Sequence, residues 1–183
     1  LASRLGEISL IPPTHKKEKY RTVRDAISHL EPIESGEVSN NDKLHFTTKL
    51  TDINLKRIKA SIPNGTWEDW DESLLLECHK KDSGKTYKAV YGRMAWDEPA
   101  PTITTQFYNY GTGRFGHPEQ DRALTIREAS ILQSFPPKYK FVDKNQEVLL
   151  TRIGTHIGNA VPVNLGLAIG KSILKHLTET NNG

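Results

Sequence analysis

Arg122-Ala123-Leu124-Thr125-Ile126-Arg127-Glu128-Ala129-Ser130-Ile131-Leu132-Gln133-Ser134-Phe135-Pro136 is the stretch whose reading organises the chain. Thr125 followed three residues later by Glu128 has the spacing of a capping box. In that motif the hydroxyl and the carboxylate each satisfy a backbone N–H that the first helical turn leaves without a partner. The spacing predicts a helix from Thr125 to about Ser134. Leu124, just ahead of the cap, is placed to staple onto Ala129, and Pro136-Pro137 stops the helix. Arg127 falls in the first turn, where the helix dipole disfavours a cation. It reads either as the partner of a carboxylate that holds two parts of the chain together, or as a solvated arginine.

Downstream, residues 138–150 are mixed, with Tyr139 and Phe141 as expected core anchors. Residues 154–159 read as a loop. Pro162 suits the first position of a helix, whose face would carry Leu165, Ala168, Ile169, Ile173 and Leu177. Upstream, residues 102–108 are β-branched and aromatic, and residues 84–94 alternate with Tyr and Val. Both predict strands, separated by a turn at 96–101, and residues 109–116 form a glycine-rich loop. Val23, Ala26, Ile27 and Leu30 make one apolar helical stripe, capped by Thr22 with Asp25 and ended at Glu31-Pro32. A second short helix is expected at 52–61 with Asp52 as its cap. Residues 11–22 are a polar connector, 33–43 a loop, and 63–73 irregular structure pinned by Trp67 and Trp70. Residues 1–10 read as the tail of a strand and the turn after it.

The 183 residues allow one ordinary domain or two small ones. Apolar content of 36% and charged content of 26% exclude general disorder. A single cysteine rules out an internal disulfide and fits a reducing cytosol. The net charge of +3 is compatible with a polyanionic partner without demanding one. No apolar run approaches a membrane span, so no membrane role is expected. Cys78-His79 is one adjacent pair without a second pair at ligand spacing, so no metal is expected. The chain opens on Leu1 and its only methionine is Met94, which is read as a cut from a larger protein.

Two stretches resemble the closing motifs of the DNA cytosine-5 methyltransferases, of the bacterial modification-methylase type. Residues 122–136 resemble the ninth motif, the helix that organises the recognition domain. Residues 157–170, with Ile157-Gly158-Asn159-Ala160-Val161-Pro162, resemble the tenth, whose helix returns to the catalytic core beside the cofactor. Residues 93–105 resemble the part of the target-recognition domain that carries Thr followed by Ile, Leu or Val. The resemblance implies an α/β fold, α+β over this portion. It would have a recognition lobe of small β-sheets and short helices, plus C-terminal helices that complete a Rossmann-like core. Residues 1–13 would end a core strand, 14–121 form the target-recognition domain, and 122–183 carry the ninth and tenth motifs.

The resemblance implies methyl transfer from S-adenosylmethionine to C5 of cytosine in duplex DNA, in the bacterial cytoplasm. The family's nucleophile is a cysteine in a Pro-Cys-Gln setting, whereas Cys78 sits in Leu76-Glu77-Cys78-His79. No catalytic residue is therefore expected here, and the expected partners are double-stranded DNA and a missing N-terminal catalytic region. Self-association would be another way to cover the last helix. A non-catalytic subunit of a split enzyme and a stand-alone DNA-binding module are the alternative readings. Arg93, Arg114 and Arg122 read as phosphate or base contacts, or else as solvated or internally paired arginines. Thr102, Ile103, Thr104 and Thr105 read as DNA contacts beside the flipped base, or as a plain buried strand. Asn159 and Ala160 border the cofactor by resemblance, although an Asn before a helix is also an ordinary cap. The three tryptophans read as core, with base stacking as the lesser reading.

Overall fold

A computed structural model describes residues 1–143 and 145–181. Helix α1, Val23–Ile27, is capped by Thr22 with a complete capping box to Asp25. Helix α2, Asp52–Ala60, is capped by the Thr51 hydroxyl, so the cap lies one residue before the expected Asp52. Helix α3, Ile126–Leu132, carries the Thr125–Glu128 box in full, and Leu124 and Ala129 are both wholly buried in one core. Helix α3 ends with Ser134 in the left-handed region, at φ 58°. The Phe135 N–H donates to Ser130 O and the Ser134 N–H to Ile131 O. That is a Schellman closure with serine where glycine is usual. Helix α4, Leu150–Asn159, occupies the stretch expected to be a loop. Helix α5, Val163–Asn181, follows it.

Helices α1, α3 and α4 share a single core. Val23, Ile27, Leu44, Met94, Ile103, Phe107, Ile126 and Ile157 all belong to it. A smaller cluster of Ile58, Tyr110 and Ala123 lies under α2. Trp67 and Trp70 are buried, with Trp67 stacked on His79 at 4.3 Å between ring centroids. Trp96 meets His117 edge-on and carries the Arg24 guanidinium over its face. Tyr139 departs from expectation. It is 48% exposed and contributes to a surface aromatic group with Phe135 and Phe141.

The expected lobe of small sheets does not form. Among the described residues β pairing is limited to four isolated bridges, such as Arg93 to Gly116 and Gly116 to Ala123. Residues 102–108 fold back on themselves, with the Phe107 N–H on Thr104 O and the Asn109 N–H on Gln106 O. Residues 82–86 form a 3-10 turn instead of a strand. Arginine does part of the work of a ladder: Arg93 donates to the carbonyls of Ile58, Ser61, His117 and Gln120 and to Asp121. β-propensity reports the fit of a side chain to a pleated, half-buried surface, so it does not create a neighbour to pair with. No residue of the first ten pairs as a strand, so the expected strand tail is absent, while residues 4–6 form a turn and bend with Gly6 at φ 124°.

At the centre lies a buried ion pair. Arg122 and Glu128 are each 1% exposed and meet bidentately at 2.8 and 2.7 Å. Arg122 also donates to Ile33 O, Ala123 O and the Gln120 carboxamide. Glu128 accepts the Thr125 N–H at 2.8 Å, and the Thr125 hydroxyl meets His45, whose other ring nitrogen meets Glu31 O. Burial pushes the Glu128 carboxyl up, but the hydrogen bonds and charge of Arg122 overcome it and leave Glu128 ionised below its ordinary range. Removing one member of such a pair leaves an uncompensated buried charge. Arg122→Met is therefore expected to destabilise the chain by about 3–5 kcal/mol, read as a lower guanidinium midpoint. A loss under about 1 kcal/mol, the range of an exposed pair, would contradict this role.

Candidate functional site

Pro99 and Pro101 hold the approach to residues 102–105 extended, because each fixes its own φ and removes a donor. In the extended segment Ile103 points into the core at 4% exposure. Thr102 and Thr104 are exposed and Thr105 is half-buried. Among the described residues, none of these three hydroxyls has a hydrogen-bond partner. The segment therefore offers free hydroxyls at a surface while its isoleucine anchors it from beneath.

Helix α4 packs directly against this segment, and two glycines permit the approach. A Cβ placed on Gly158 would lie 2.5 Å from Thr104 O and closer still to the Thr105 nitrogen. A Cβ on Gly154 would lie 2.5 Å from the Tyr108 ring and 3.3 Å from Thr105 O. Gly154 and Gly158 are four residues apart, so they fall on one helical face. Immediately beyond Gly158 come Asn159, exposed and without a partner for its carboxamide among the described residues, and half-buried Ala160. Asn159 ends α4 and does not cap α5. Gln133 ties this end down, donating to Ile157 O at 3.0 Å and Ala160 O at 3.3 Å while its carbonyl accepts the Val163 N–H. The residues read as DNA-facing at 104–105 and as cofactor-facing at 159–160 are thus brought to either side of one glycine.

The three arginines separate. Arg114 is partly exposed and its guanidinium donates to Asn64 at 3.1 Å. Arg93 and Arg122 are 5% and 1% exposed, and their donors are occupied inside the protein. The internally paired reading applies to both, because a guanidinium that serves four or five internal acceptors has no face left for a phosphate. The glycine-rich loop is also used internally: Met94 N–H donates to Gly116 O, and Gly111 lies against the Tyr91 ring. Arg127 has the carboxylate partner its position suggested, a paired contact with Asp42. Among the described residues no three His, Cys, Asp or Glu side chains gather as metal ligands. Missing from the sequence reading was the seat made by Gly154 and Gly158, whose available signal was their spacing of four alongside Ile153 and Ile157.

His117 lies between the two buried arginines. Its Nδ1 accepts the Glu119 and Gln120 N–H groups at 3.2 and 2.9 Å, which assigns the neutral ring's proton to Nε2. That nitrogen faces Glu128 at 3.8 Å. Burial lowers the His117 pKa to about 4, with Arg122 and Arg93 adding to the effect and Glu128 opposing it.

Residues 4–175 match the family model described as C-5 cytosine-specific DNA methylase. The chain is 55% identical over 176 residues to the type II methylase M.HgiDII of Herpetosiphon aurantiacus, covering 96% of this chain and 49% of that protein. It is 34% identical over 185 residues to DNA (cytosine-5)-methyltransferase 3 of Arabidopsis thaliana, covering 85% of this chain and 12% of that protein. It is 34% identical over 167 residues to the type II methyltransferase M.Eco47II of Escherichia coli, covering 89% and 37%. The chain thus spans half the length or less of these curated relatives.

The His117 environment sets a pH dependence. The unfolded ring takes up its proton near the ordinary value of 6.5, the folded ring only near 4. Its contribution to stability is complete above 6.5 and is lost as pH falls toward 4, with a slope of at most about 1.4 kcal/mol per pH unit. His117→Asn keeps an acceptor for the two N–H groups and removes the titrating ring. Denaturant midpoints are expected to fall for the parent between pH 6.5 and 5 and to fall less steeply for the variant, in which His79, also lowered by burial, keeps that dependence. Equal slopes would contradict the assignment.

Proposed function

The chain belongs to the C-5 cytosine-specific DNA methylase family, and from that premise we propose that it is the DNA-recognition and C-terminal part of a type II enzyme that methylates C5 of cytosine at a specific duplex sequence. Its place of action is then the bacterial cytoplasm, and its partners are double-stranded DNA and the region of the same enzyme that carries the catalytic cysteine. The proposed division of labour puts the exit from a core strand at 1–13, recognition at 14–121, and the ninth and tenth motifs at 122–183. The observation that carries the reading is the junction at Gly158, where free threonine hydroxyls and the Asn159–Ala160 corner meet across one helix end.

Each part has a physical task. A cytosine in a duplex hides C5 within the stack, so such an enzyme extrudes the base and holds the opened helix. Thr102, Thr104 and Thr105 present hydroxyls suited to phosphate or base edges, and Ile103 anchors them in the core. Arg114 supplies a cation at the surface. Arg93 and Arg122 act behind this surface by fixing the loops that present it. S-adenosylmethionine, when bound by the complete enzyme, supplies the methyl group. Asn159 fits its border because an exposed carboxamide without an internal partner is free to donate and accept, and Ala160 leaves room beside it. No side chain in this chain is assigned as the attacking nucleophile: Cys78 is exposed beside the Trp67–His79 stack, outside this junction.

Helix α5 supports the same reading. By length and composition the stretch Leu150–Thr180 is apolar enough to cross a membrane, more than the sequence reading allowed, although Pro162 interrupts it between α4 and α5. Among the described side chains of α5, only Ser172 and His176 are buried, where they meet the Ile11 N–H and the Ser3 hydroxyl. Leu165, Leu167 and Leu174 are half or more exposed. We assign this apolar side to the catalytic region that the chain lacks relative to M.HgiDII, since exposed patches of this kind mark interaction surfaces. A second copy of the chain would cover it only in that region's absence.

Two measurements on the chain test the proposal. Duplex binding by fluorescence anisotropy should weaken with salt, and Arg114→Ala should weaken it further and reduce the slope of log K against log salt by about one. The chain alone should transfer no label from methyl-labelled cofactor to DNA. Turnover by the chain alone, or binding indifferent to both salt and Arg114, would contradict it.

A further inference from the structure

We propose that Gly158 is a positioning residue that locks the Thr104–Thr105 segment to the cofactor-side end of α4, so that occupancy at Asn159–Ala160 is felt at the DNA-facing hydroxyls. The inference rests on the reading of the two sites just given, and goes beyond it by joining them through one position. Most contacts between helices and loops run side chain to side chain and yield when one rotamer changes. Here the helix meets backbone. A Cβ at 158 would crowd the Thr104 carbonyl carbon and oxygen and the Thr105 nitrogen, none of which can move without the segment itself.

The neighbouring restraints leave the segment little freedom. Ile103 is locked in the core on one side and Phe107, wholly buried, on the other. The Phe107 N–H closes the turn onto Thr104 O. On the helix side, Gln133 holds the carbonyls of Ile157 and Ala160, which fixes the helix end to α3 and through it to the buried Glu128. Gly154 completes the seat one turn earlier, but against the Tyr108 ring. The segment and the helix end therefore meet most tightly at backbone beside Gly158, with a looser approach to Thr105 O at Gly154 and rigid supports behind each. Ordinary contacts at a Cβ begin near 3.4 Å. An alanine at 158 would push the segment back by roughly 1 Å, a misplacement that can cost up to about a hundredfold in rate.

The test uses the complete methyltransferase containing this chain, and the chain itself. In the wild-type enzyme, S-adenosylhomocysteine added without DNA should slow amide exchange in residues 102–108 as well as in α4. Protection confined to α4 would overturn the proposal. In Gly158→Ala, KM for DNA should rise about tenfold or more at a temperature where the variant is fully folded, and the cofactor should no longer slow exchange at 102–108. A lower melting temperature with both KM values unchanged would reduce Gly158 to packing and overturn it. Gly154→Ala presses on a ring that can turn, and should show a smaller rise. This variant and the wild-type exchange measurement decide the matter if Gly158→Ala does not fold. Should the wild-type enzyme transfer no methyl group, the reading of function fails by itself. The seat is then judged in the chain alone, by whether Gly158→Ala speeds exchange at 102–108; no change there would overturn it.

Discussion

The structure depends on one buried charge pair. Arg122 and Glu128 sit almost completely out of water, and neither could be there alone. Glu128 faces two ways at once. It closes the first turn of α3 through the Thr125 N–H, and it neutralises an arginine that in turn gathers the carbonyls of Ile33 and Ala123. A helix cap, which usually settles only local structure, thereby ties residues 31–45 to residues 117–125. Thr125 extends the tie through His45 to Glu31 O. Arg93 repeats the device nearby with Asp121 and four carbonyls.

That device explains how a chain with almost no β pairing among its described residues still holds long loops in place. Buried backbone carbonyls need donors. In a sheet the neighbouring strand supplies them; here turns supply most, and two arginines, whose planar groups each reach several acceptors, add to the supply. The arrangement leaves the surface above free. Among the described residues, the hydroxyls of Thr102, Thr104 and Thr105 keep no hydrogen-bond partner. The same core presents α4, and the two glycines of α4 allow the threonine segment to settle against its backbone.

Local signals were the most legible. The capping boxes at Thr22 and Thr125 stand where their spacing put them, because a cap is decided by residues within one turn of each other. The staple from Leu124 and the carboxylate partner of Arg127 followed from the same helix. The family was readable from 122–136 and 157–170. Long-range facts were not legible. Residues 84–94 and 102–108 have strand composition, but pairing needs a neighbour that composition does not name. Residues 154–159 read as a loop, since glycine is costly in a helix, yet Gly154 and Gly158 are there for what they touch. Arg93 and Arg122 read as DNA contacts or as solvated or internally paired arginines, and nothing local shows that a guanidinium will meet Glu128 or Asp121 inside.

The central claim is that this chain chooses the DNA site while another region performs the transfer. Joining the chain to the part of M.HgiDII that it does not match, and reading methylated cytosines in duplex DNA by bisulfite sequencing, tests that claim most directly. The account predicts methylation at one cytosine position within a single recurring sequence. Methylation scattered without a recurring sequence, or none from a hybrid that folds and binds cofactor, would contradict it.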